Sequence, residues 1–471
     1  MQRLPPELHL HIVHYLPVEA LCNLCLCSQY YHEISIPELY RDLTIQVQIT
    51  GLDISVYRKV QAYTENFFKR CEHLQSITVC GSNISESALP FALRPICLFL
   101  GAILQTRCSK GLKSFNWKLD CPCGMDFMKC LPSSIEVLEL DARLIDYSKH
   151  VRNLSELRCH RICSVEQAEW LARHVEQNAR GLRRLFFGFE SSQSTMQSQV
   201  ILQSLQRIAD SSFGNSLHYV GLDNMDLSRW PSSEMPLIRH LCLMQCHNIE
   251  EALSRFVAFN KHCTRLRRLD VTLNQRSTCI REVLGKLQCL TRLTSLQLMF
   301  GGESNKFPLE GILLSRRSLR HLFLESRRNV SDPTTVHPYQ VQEFLKITES
   351  CSSLKTLSIP VKITRDSRMM LVNYSQIVCR CSTDCHLQKT HRSETGLRHL
   401  HVRCHRDLSR IGNLRNARVD AMRIGTPFLP RDTARLLVTI GNEARTFSWR
   451  MSKDKKNAPI LGDHSIGLPD R

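Results

Sequence analysis

The residues with the greatest capacity for chemistry are thiols and imidazoles. The stretch "CRCSTDCHLQKTH" puts Cys379, Cys381, Cys385, His386 and His391 within thirteen residues. Zinc takes four such ligands in a tetrahedron, so these five are the candidate metal ligands. A Cys-x-Cys pair with a third Cys four residues on is not a standard finger spacing, and no second paired knuckle lies near. The stretch therefore reads first as a Cys-rich insertion loop, with a zinc-containing protein as an alternative, and no cofactor is expected. A second group (Cys108, Cys121, Cys123 and Cys130) is looser still. The chain has no phosphate-cradling Gly loop, no Gly-x-Ser-x-Gly elbow and no His-Glu-x-x-His. Ser, His and Asp are abundant, but no spacing nominates a triad. The expectation is a protein without an active site of its own.

Composition narrows the setting. The chain has 471 residues, 42% of them hydrophobic, enough for several domains or one elongated repeat domain. Glu7 and several His stand where a secretory leader would need an apolar core, so the 22 Cys are read as reduced thiols packed as small hydrophobes. The longest apolar stretch, residues 89–104, is interrupted by Arg94 and Pro95 and is too short for a membrane span. A cytoplasmic or nuclear protein with no membrane partner is expected. The net charge of +18 and pI near 9.2 favour an acidic partner or nucleic acid. The cations, however, come as scattered doublets such as Arg183-Arg184 and Arg267-Arg268, the pattern of a solvated basic surface.

The elements that would position any site follow from a repeat. Leu-x-x-apolar-x-apolar recurs from Leu74, Leu112, Ile135, Leu154, Leu182, Leu217, Ile238, Leu266, Leu293, Leu319, Leu354 and Leu397, and more weakly from Val419. The mean spacing of about 29 residues suits leucine-rich repeats. Three copies extend to Cys-x-x-Leu-x-x-apolar-x-apolar, beginning at Cys71, Cys263 and Cys351. Helical stripes precede two of these: Leu253, Phe256, Val257 and Phe259 before Cys263, and Val341, Phe344, Leu345 and Ile347 before Cys351. Helix, turn and short strand in alternation predict a parallel sheet. This frame resembles the cysteine-containing leucine-rich repeats of F-box proteins. It departs from them in spacings of 19 to 43 residues, in lacking Cys from most copies, and in showing no Asn at a fixed place. Insertions are expected near residues 190–200, 300–308, 326–338 and 380–395.

The N-terminus adds a second pattern. Pro5 or Pro6 can start a helix with Glu7 in its first turn, and Leu8, Ile12 and Leu16 then follow at four-residue steps. Pro17 starts another helix, with Glu19, Leu21, Leu24, Cys25 and Ser28 along it. A third segment, "QYYHEISIPELYRDLTI", is expected to break at Pro37. Such short helices bury too little to stand alone, so they cap the repeats, hold a partner, or both. Leu-Pro-x-Glu-Leu followed by Ile, Leu-Pro, Leu, Leu and Ser resembles the F-box, although Tyr30 and Tyr31 stand where many F-boxes carry Trp.

The resemblance implies a fold and a role. The fold class is α/β: a three-helix F-box (residues 1–45), an irregular leucine-rich-repeat solenoid (46–450) with its parallel sheet concave and helices convex, and a flexible tail (451–471). The segment "TARLLVTIGNEARTFSWR" would supply a last helix and strand. F-boxes hold the Skp-type adaptor of cullin-based ubiquitin ligases, which carries over to Leu4, Pro5, Leu8, Ile12, Leu16, Pro17, Leu21 and Leu24. Strand alternation puts Arg158, His160, Arg184, Phe186, Tyr219, His240, Arg268, His321, Phe323, His399, His401 and Arg403 on the open face. That set would suit a protein substrate bearing acidic or phosphorylated residues. The function expected is a non-catalytic substrate receptor. The alternative is a repeat scaffold outside any ligase, on nucleic acid.

Overall fold

The computed structural model describes residues 4–47, 71–81, 89–105, 111–119, 125–148, 150–190, 195–210, 216–231, 238–259, 265–273, 292–301, 309–314, 316–327, 339–351 and 353–362, and the strands at 399–404, 435–440, 445–450 and 460–465. They fall into two compact units, Met1–Leu217 and His218–Arg471.

The first unit opens with three helices: α1 (Pro6–His14), α2 (Val18–Cys27) and α3 (Gln29–Leu39). Prolines set the first two starts. Pro6 occupies the first turn of α1, where its missing N–H costs nothing, and Pro17 caps α2 in extended geometry. Ser28 caps α3, its hydroxyl accepting from the Tyr31 N–H at 3.2 Å. The expected break at Pro37 does not occur. Pro37 lies within the last turn of α3, where the proline interrupts a ladder that is about to end, and the Tyr40 N–H still reaches the Ile36 carbonyl at 3.1 Å.

A parallel ladder comes next: β1 (Asp42–Val47), β2 (Ser76–Gly81), β3 (Ser114–Trp117), β4 (Val137–Asp141), β5 (Glu156–Ile162) and β6 (Arg184–Phe189). The register aligns the apolar frame. Leu43, Ile77, Phe115, Leu138, Leu157 and Leu185 stand side by side across six strands. The residues opening each copy (Leu74, Leu112, Ile135, Leu154 and Leu182) are also buried. Each such Leu removed from water contributes roughly 1.5–3 kcal/mol, and neighbouring copies supply the surface that buries it. Helices α4 (Leu89–Gln105), α5 (Val165–Asn178) and α6 (Thr195–Asp210) accompany the strands. Pro95 lies inside α4, whose Leu93, Ile96, Leu100 and Ile103 are buried. No described helix is long and apolar enough to cross a membrane. α6 corrects the insertion expected at 190–200: residues 195–200 are helical, with Ile201, Leu202 and Leu205 turned inward. Asn178 ties α5 to the sheet, its side chain accepting from the Leu154 N–H at 2.9 Å and donating to the His174 carbonyl at 2.8 Å.

The second unit repeats the scheme. Strands β7 (Tyr219–Asp223), β8 (His240–Met244), β9 (Arg268–Leu273), β10 (Ser295–Gly301), β11 (His321–Arg327), β13 (Thr356–Lys362), β14 (His399–Cys404) and β15 (Arg435–Ile440) pair in parallel, and the short β12 (Tyr339–Gln340) joins β13. Val220, Leu241, Leu269, Leu296, Leu322, Leu357, Leu400 and Leu436 share one register row. Helices α7 (Ile249–Phe259), α8 (Leu309–Leu314) and α9 (Val341–Ser350) lie between strands in the chain, and Leu253, Phe256, Phe344, Ile347 and Cys351 are buried as their spacing requires.

The chain end differs from expectation. β16 (Arg445–Arg450) and β17 (Ile460–Ser465) run antiparallel, β16 against β15 and β17 against β16. The expected last helix is therefore β15, whose Leu436, Val438 and Ile440 recur with the period of two that a strand requires. Part of the expected tail is also a strand. Residues 451–459 and 466–471, like the insertions near 300–308 and 380–395, lie mainly outside the described residues.

Candidate functional site

Two surfaces gather the candidate residues. The first is the three-helix face. Val13 and Leu21 are buried among the helices, so Leu21, at 4% exposure, does not line the outer surface. Leu8 and Ile12 lie one turn apart on α1 and are 47% and 48% exposed, with Leu4 exposed beyond them. Pro5 and Pro17 are exposed, while Leu16 and Leu24 are partly covered. The structure adds four large apolar residues that stripe reasoning missed: Leu10, Tyr15, Val18 and Leu26 are exposed as well. Leu4, Leu8, Ile12 and Tyr15 recur at three- and four-residue steps and are all exposed, an uncovered apolar stripe of the kind that marks an interaction site.

Aromatic residues join α1 to α3. His9 Nδ1 lies 3.0 Å from the Tyr30 hydroxyl, and the Tyr30 and Tyr31 rings meet edge-on at 5.4 Å. His9 is 5.7 Å from the Tyr31 ring, so these tyrosines clamp α1 onto α3. Arg41 secures the other end. Its guanidinium lies 2.5 Å from Glu38, 2.9 Å from Asp42 and 2.8 Å from His14 Nδ1, joining α1, α3 and β1.

The second surface is the polar row of each ladder. In the first unit, Glu156 accepts from Arg158 at 2.5 Å and Arg184 at 3.2 Å. Glu139, itself buried, meets His160 at 3.0 Å and Lys118 at 3.6 Å. Burial opposes ionisation of Glu139, but its bond from His160 and the charge of Lys118 outweigh burial and hold the carboxyl below its ordinary value. Phe186 departs from the expected open placement. It is only 8% exposed and packs on the His160 ring at 5.0 Å, because every residue of β6 after Arg184 is buried and the alternation fails there.

In the second unit, Asp270 accepts from His240 Nε2 at 2.7 Å and Arg268 Nε at 2.9 Å. Tyr219 meets the His240 ring edge-on at 4.6 Å. Burial raises the Asp270 pKa, and the His240 and Arg268 bonds more than offset that, leaving it lowered. The His240 and Cys242 side chains share the strand face with Asp270 as register partner of Cys242, an arrangement that invites a nucleophilic reading. Its electrostatics oppose one: burial, aided by Asp270, pushes the Cys242 thiol up to about 12, so it stays protonated at neutral pH. Burial likewise raises Cys246, and lifts Cys351 to about 11. Cys242, Cys246 and Cys351 are free thiols. His321 bonds the Thr356 hydroxyl at 3.1 Å, and Phe323 is half-buried between the Gln297 and Ser358 rows. His399, His401 and Arg403 are placed by backbone register alone, opposite Thr356, Ser358 and Pro360.

The cations of the polar rows thus already face carboxylates of the same sheets. Spacing within one strand gives Glu156–Arg158 and Arg268–Asp270, but not Glu139–His160 and His240–Asp270, whose partners stand on different copies of the repeat. Cys379, Cys381, Cys385, His386 and His391 lie outside the described residues, as do Cys108, Cys121 and Cys123. Among the described residues no cluster of three metal-ligating side chains occurs.

Residues 1–46 match the F-box-like family. The match covers α1 to α3 and all but the last residue of β1. No curated relative matches the chain.

Proposed function

We propose that this protein is the substrate-recognition subunit of a Skp-cullin-F-box ubiquitin ligase. The observation that carries the reading is the exposed apolar face of the helical bundle within the F-box-like segment, led by Leu8 and Ile12. F-box domains typically bind Skp-type adaptors, and a stripe at four-residue steps fits a hydrophobic groove of a helical partner. Leu4, Pro5, Leu16, Pro17 and Leu24 extend the contact, with Leu10, Tyr15, Val18 and Leu26 as further contributors. The in-register Leu rows within each unit are in keeping with leucine-rich repeats beyond the bundle, whose polar rows would hold a protein substrate. No catalytic role is assigned to this chain, and it would act in the cytoplasm or nucleus, where such ligases assemble.

The substrate-facing expectation changes in one respect. Arg158, Arg184, His160, His240 and Arg268 are already engaged by Glu156, Glu139 and Asp270, so the sheet faces are charge-compensated rather than uniformly cationic. A substrate with mixed charges and apolar anchors suits them better than a polyanion. The same compensation counts against nucleic acid, the second reading, whose binding would depend steeply on salt.

Co-purification tests the reading. The full chain should retain the adaptor, and Leu8→Asp with Ile12→Asp should abolish retention while the circular dichroism spectrum is unchanged. Absence of the adaptor from the wild-type complex, or equal retention by the folded double variant, refutes it.

A further inference from the structure

The residues that stand just before the strands of the second unit's parallel ladder form a row of their own. His218, Arg239, Arg267, Thr294, Arg320 and Lys355 follow one another across the sheet. Each N–H after the first donates to the carbonyl of the preceding member at 2.7–2.8 Å. The row carries Arg239, Arg267, Arg320 and Lys355 as cations and contains no carboxylate. The three arginines are exposed, and Lys355 is half-buried.

The same position in the first unit is filled differently. There the row reads Arg41, Gln75, Lys113, Glu136, Ser155 and Arg183. Arg41 meets Glu38 and Asp42, and Lys113 lies 3.6 Å from Glu136. In the second unit no acid intervenes. Among the described residues, none of Arg239, Arg267, Arg320 and Lys355 pairs with a carboxylate, whereas Arg268, next to Arg267, is held by Asp270. Arg267 donates one Nη1 bond to the Arg292 carbonyl at 3.2 Å, which leaves most of its guanidinium donors for an anion. Arg265 and Arg317 are exposed in the turns that lead into β9 and β11 and add charge of the same sign. Like charges on neighbouring strands repel, so an anion laid along the row gains more than it would at a single surface cation.

The spacing selects the anion. Parallel strands lie about 4.8 Å apart, which puts Arg239, Arg267, Arg320 and Lys355 at about 0, 5, 14 and 19 Å along the row. Alternate side chains of an extended peptide are about 7 Å apart, so four of them fall at about 0, 7, 13 and 20 Å. The two series agree to about 2 Å, within the reach of flexible Arg and Lys side chains. Single-stranded nucleic acid also has regularly spaced charges, but proteins hold it by stacking bases on aromatic rings, and the row has no Phe, Tyr or Trp.

We propose that this row binds an extended acidic segment of a protein partner, with Asp or Glu at four alternate positions paired to Arg239, Arg267, Arg320 and Lys355. The segment crosses the strands at their starts. The row lies outside the F-box-like bundle and apart from the Arg268–Asp270 face, so the inference does not depend on the adaptor reading.

The test uses the full chain and a rhodamine-labelled peptide, Gly-Glu-Ser-Glu-Ser-Glu-Ser-Glu-Gly with blocked ends. Binding is read by fluorescence anisotropy at low ionic strength, where surface charges are least screened. Saturable binding is expected, and Arg267→Glu with Arg320→Glu should weaken it by roughly tenfold or more. Both positions are exposed, so this variant should keep the wild-type circular dichroism spectrum. Arg152→Glu with Arg183→Glu makes the same change in net charge at exposed positions of the first unit, and should leave the affinity within about twofold. The proposal is overturned if the wild type shows no saturable binding, or if the two double variants lose binding equally. It is also overturned if a peptide of the same composition with its four Glu adjacent binds as tightly. Tighter binding of a five-residue oligothymidylate, lost in Arg267→Glu with Arg320→Glu, would make the row a nucleic-acid site and overturn it as well.

Discussion

His174 and Asp270 are buried groups, one held neutral and the other charged, and each links folding to pH. Burial lowers the His174 pKa from 6.5 to about 4, so the unfolded chain binds its proton first. Its contribution is fully present above about pH 6.5 and is lost as the pH falls through about 4, a change of about 3 kcal/mol. Urea midpoints measured from pH 7.5 to 4 should therefore fall, and His174→Gln should flatten that part of the slope. Asp270 behaves as a paired carboxylate: its contribution is present above its ordinary value of 3.8 and disappears as the pH drops below it. Asp270→Asn should cost about 1–2 kcal/mol at pH 7, from weakened bonds to His240 and Arg268. The variant and the wild type should converge in stability as the wild-type carboxyl is protonated. At this scale strand alternation put Arg268 and Asp270 on one face, but not the bond from His240 to Asp270, because cross-strand neighbours depend on register. Phe186 was misplaced for a related reason: β6 is buried on both faces, and the period of two then carries no direction.

At the scale of the element, the Leu frame was legible because it is redundant. Its copies place apolar residues at the same three slots, and each strand's Leu is buried by the copies beside it. Leu269 shows the energetic weight of that arrangement. It is fully buried in register between Leu241 and Leu296. Leu269→Ala should destabilise by about 2–5 kcal/mol, through lost transfer energy and the cavity left behind. Met196→Ala, at an exposed position of α6, should stay within about 0.5 kcal/mol in the same thermal or urea titration. Elements without the frame were harder to read. Thr195–Asp210 begins with Thr, Gln and Ser among its first residues, whose polarity resembles a loop until Ile201, Leu202 and Leu205 are seen on one face. Pro37 looked like a stop because proline usually is one, yet it costs little one turn from a helix end. The antiparallel strands β16 and β17 lie beyond the last clear copy, so nothing periodic announced them.

At the scale of the whole molecule, the proposed function divides between the F-box-like bundle and the ladders, and the test of that division depends on where the chain can be cut without damage. The boundary is set by β1. Arg41 reaches back to Glu38 and His14, while its carbonyl accepts from the Gln75 and Ser76 N–H groups at 2.8 and 3.0 Å. Asp42–Val47 then pairs along the whole of β2, and Val47 is buried. Removing residues 1–45 would therefore strip most of β1 and open the edge of β2, so a loss of partners could reflect damage to the sheet. Removing residues 1–40 leaves β1 in place, and Leu8→Asp with Ile12→Asp leaves the backbone intact. Affinity purification of these two forms beside the full chain should give one result: the adaptor and cullin are lost from both, while substrate candidates are retained by both. Loss of the substrate candidates together with the adaptor would mean that capture runs through the bundle, and the proposed division between an attaching bundle and recognising ladders would fail.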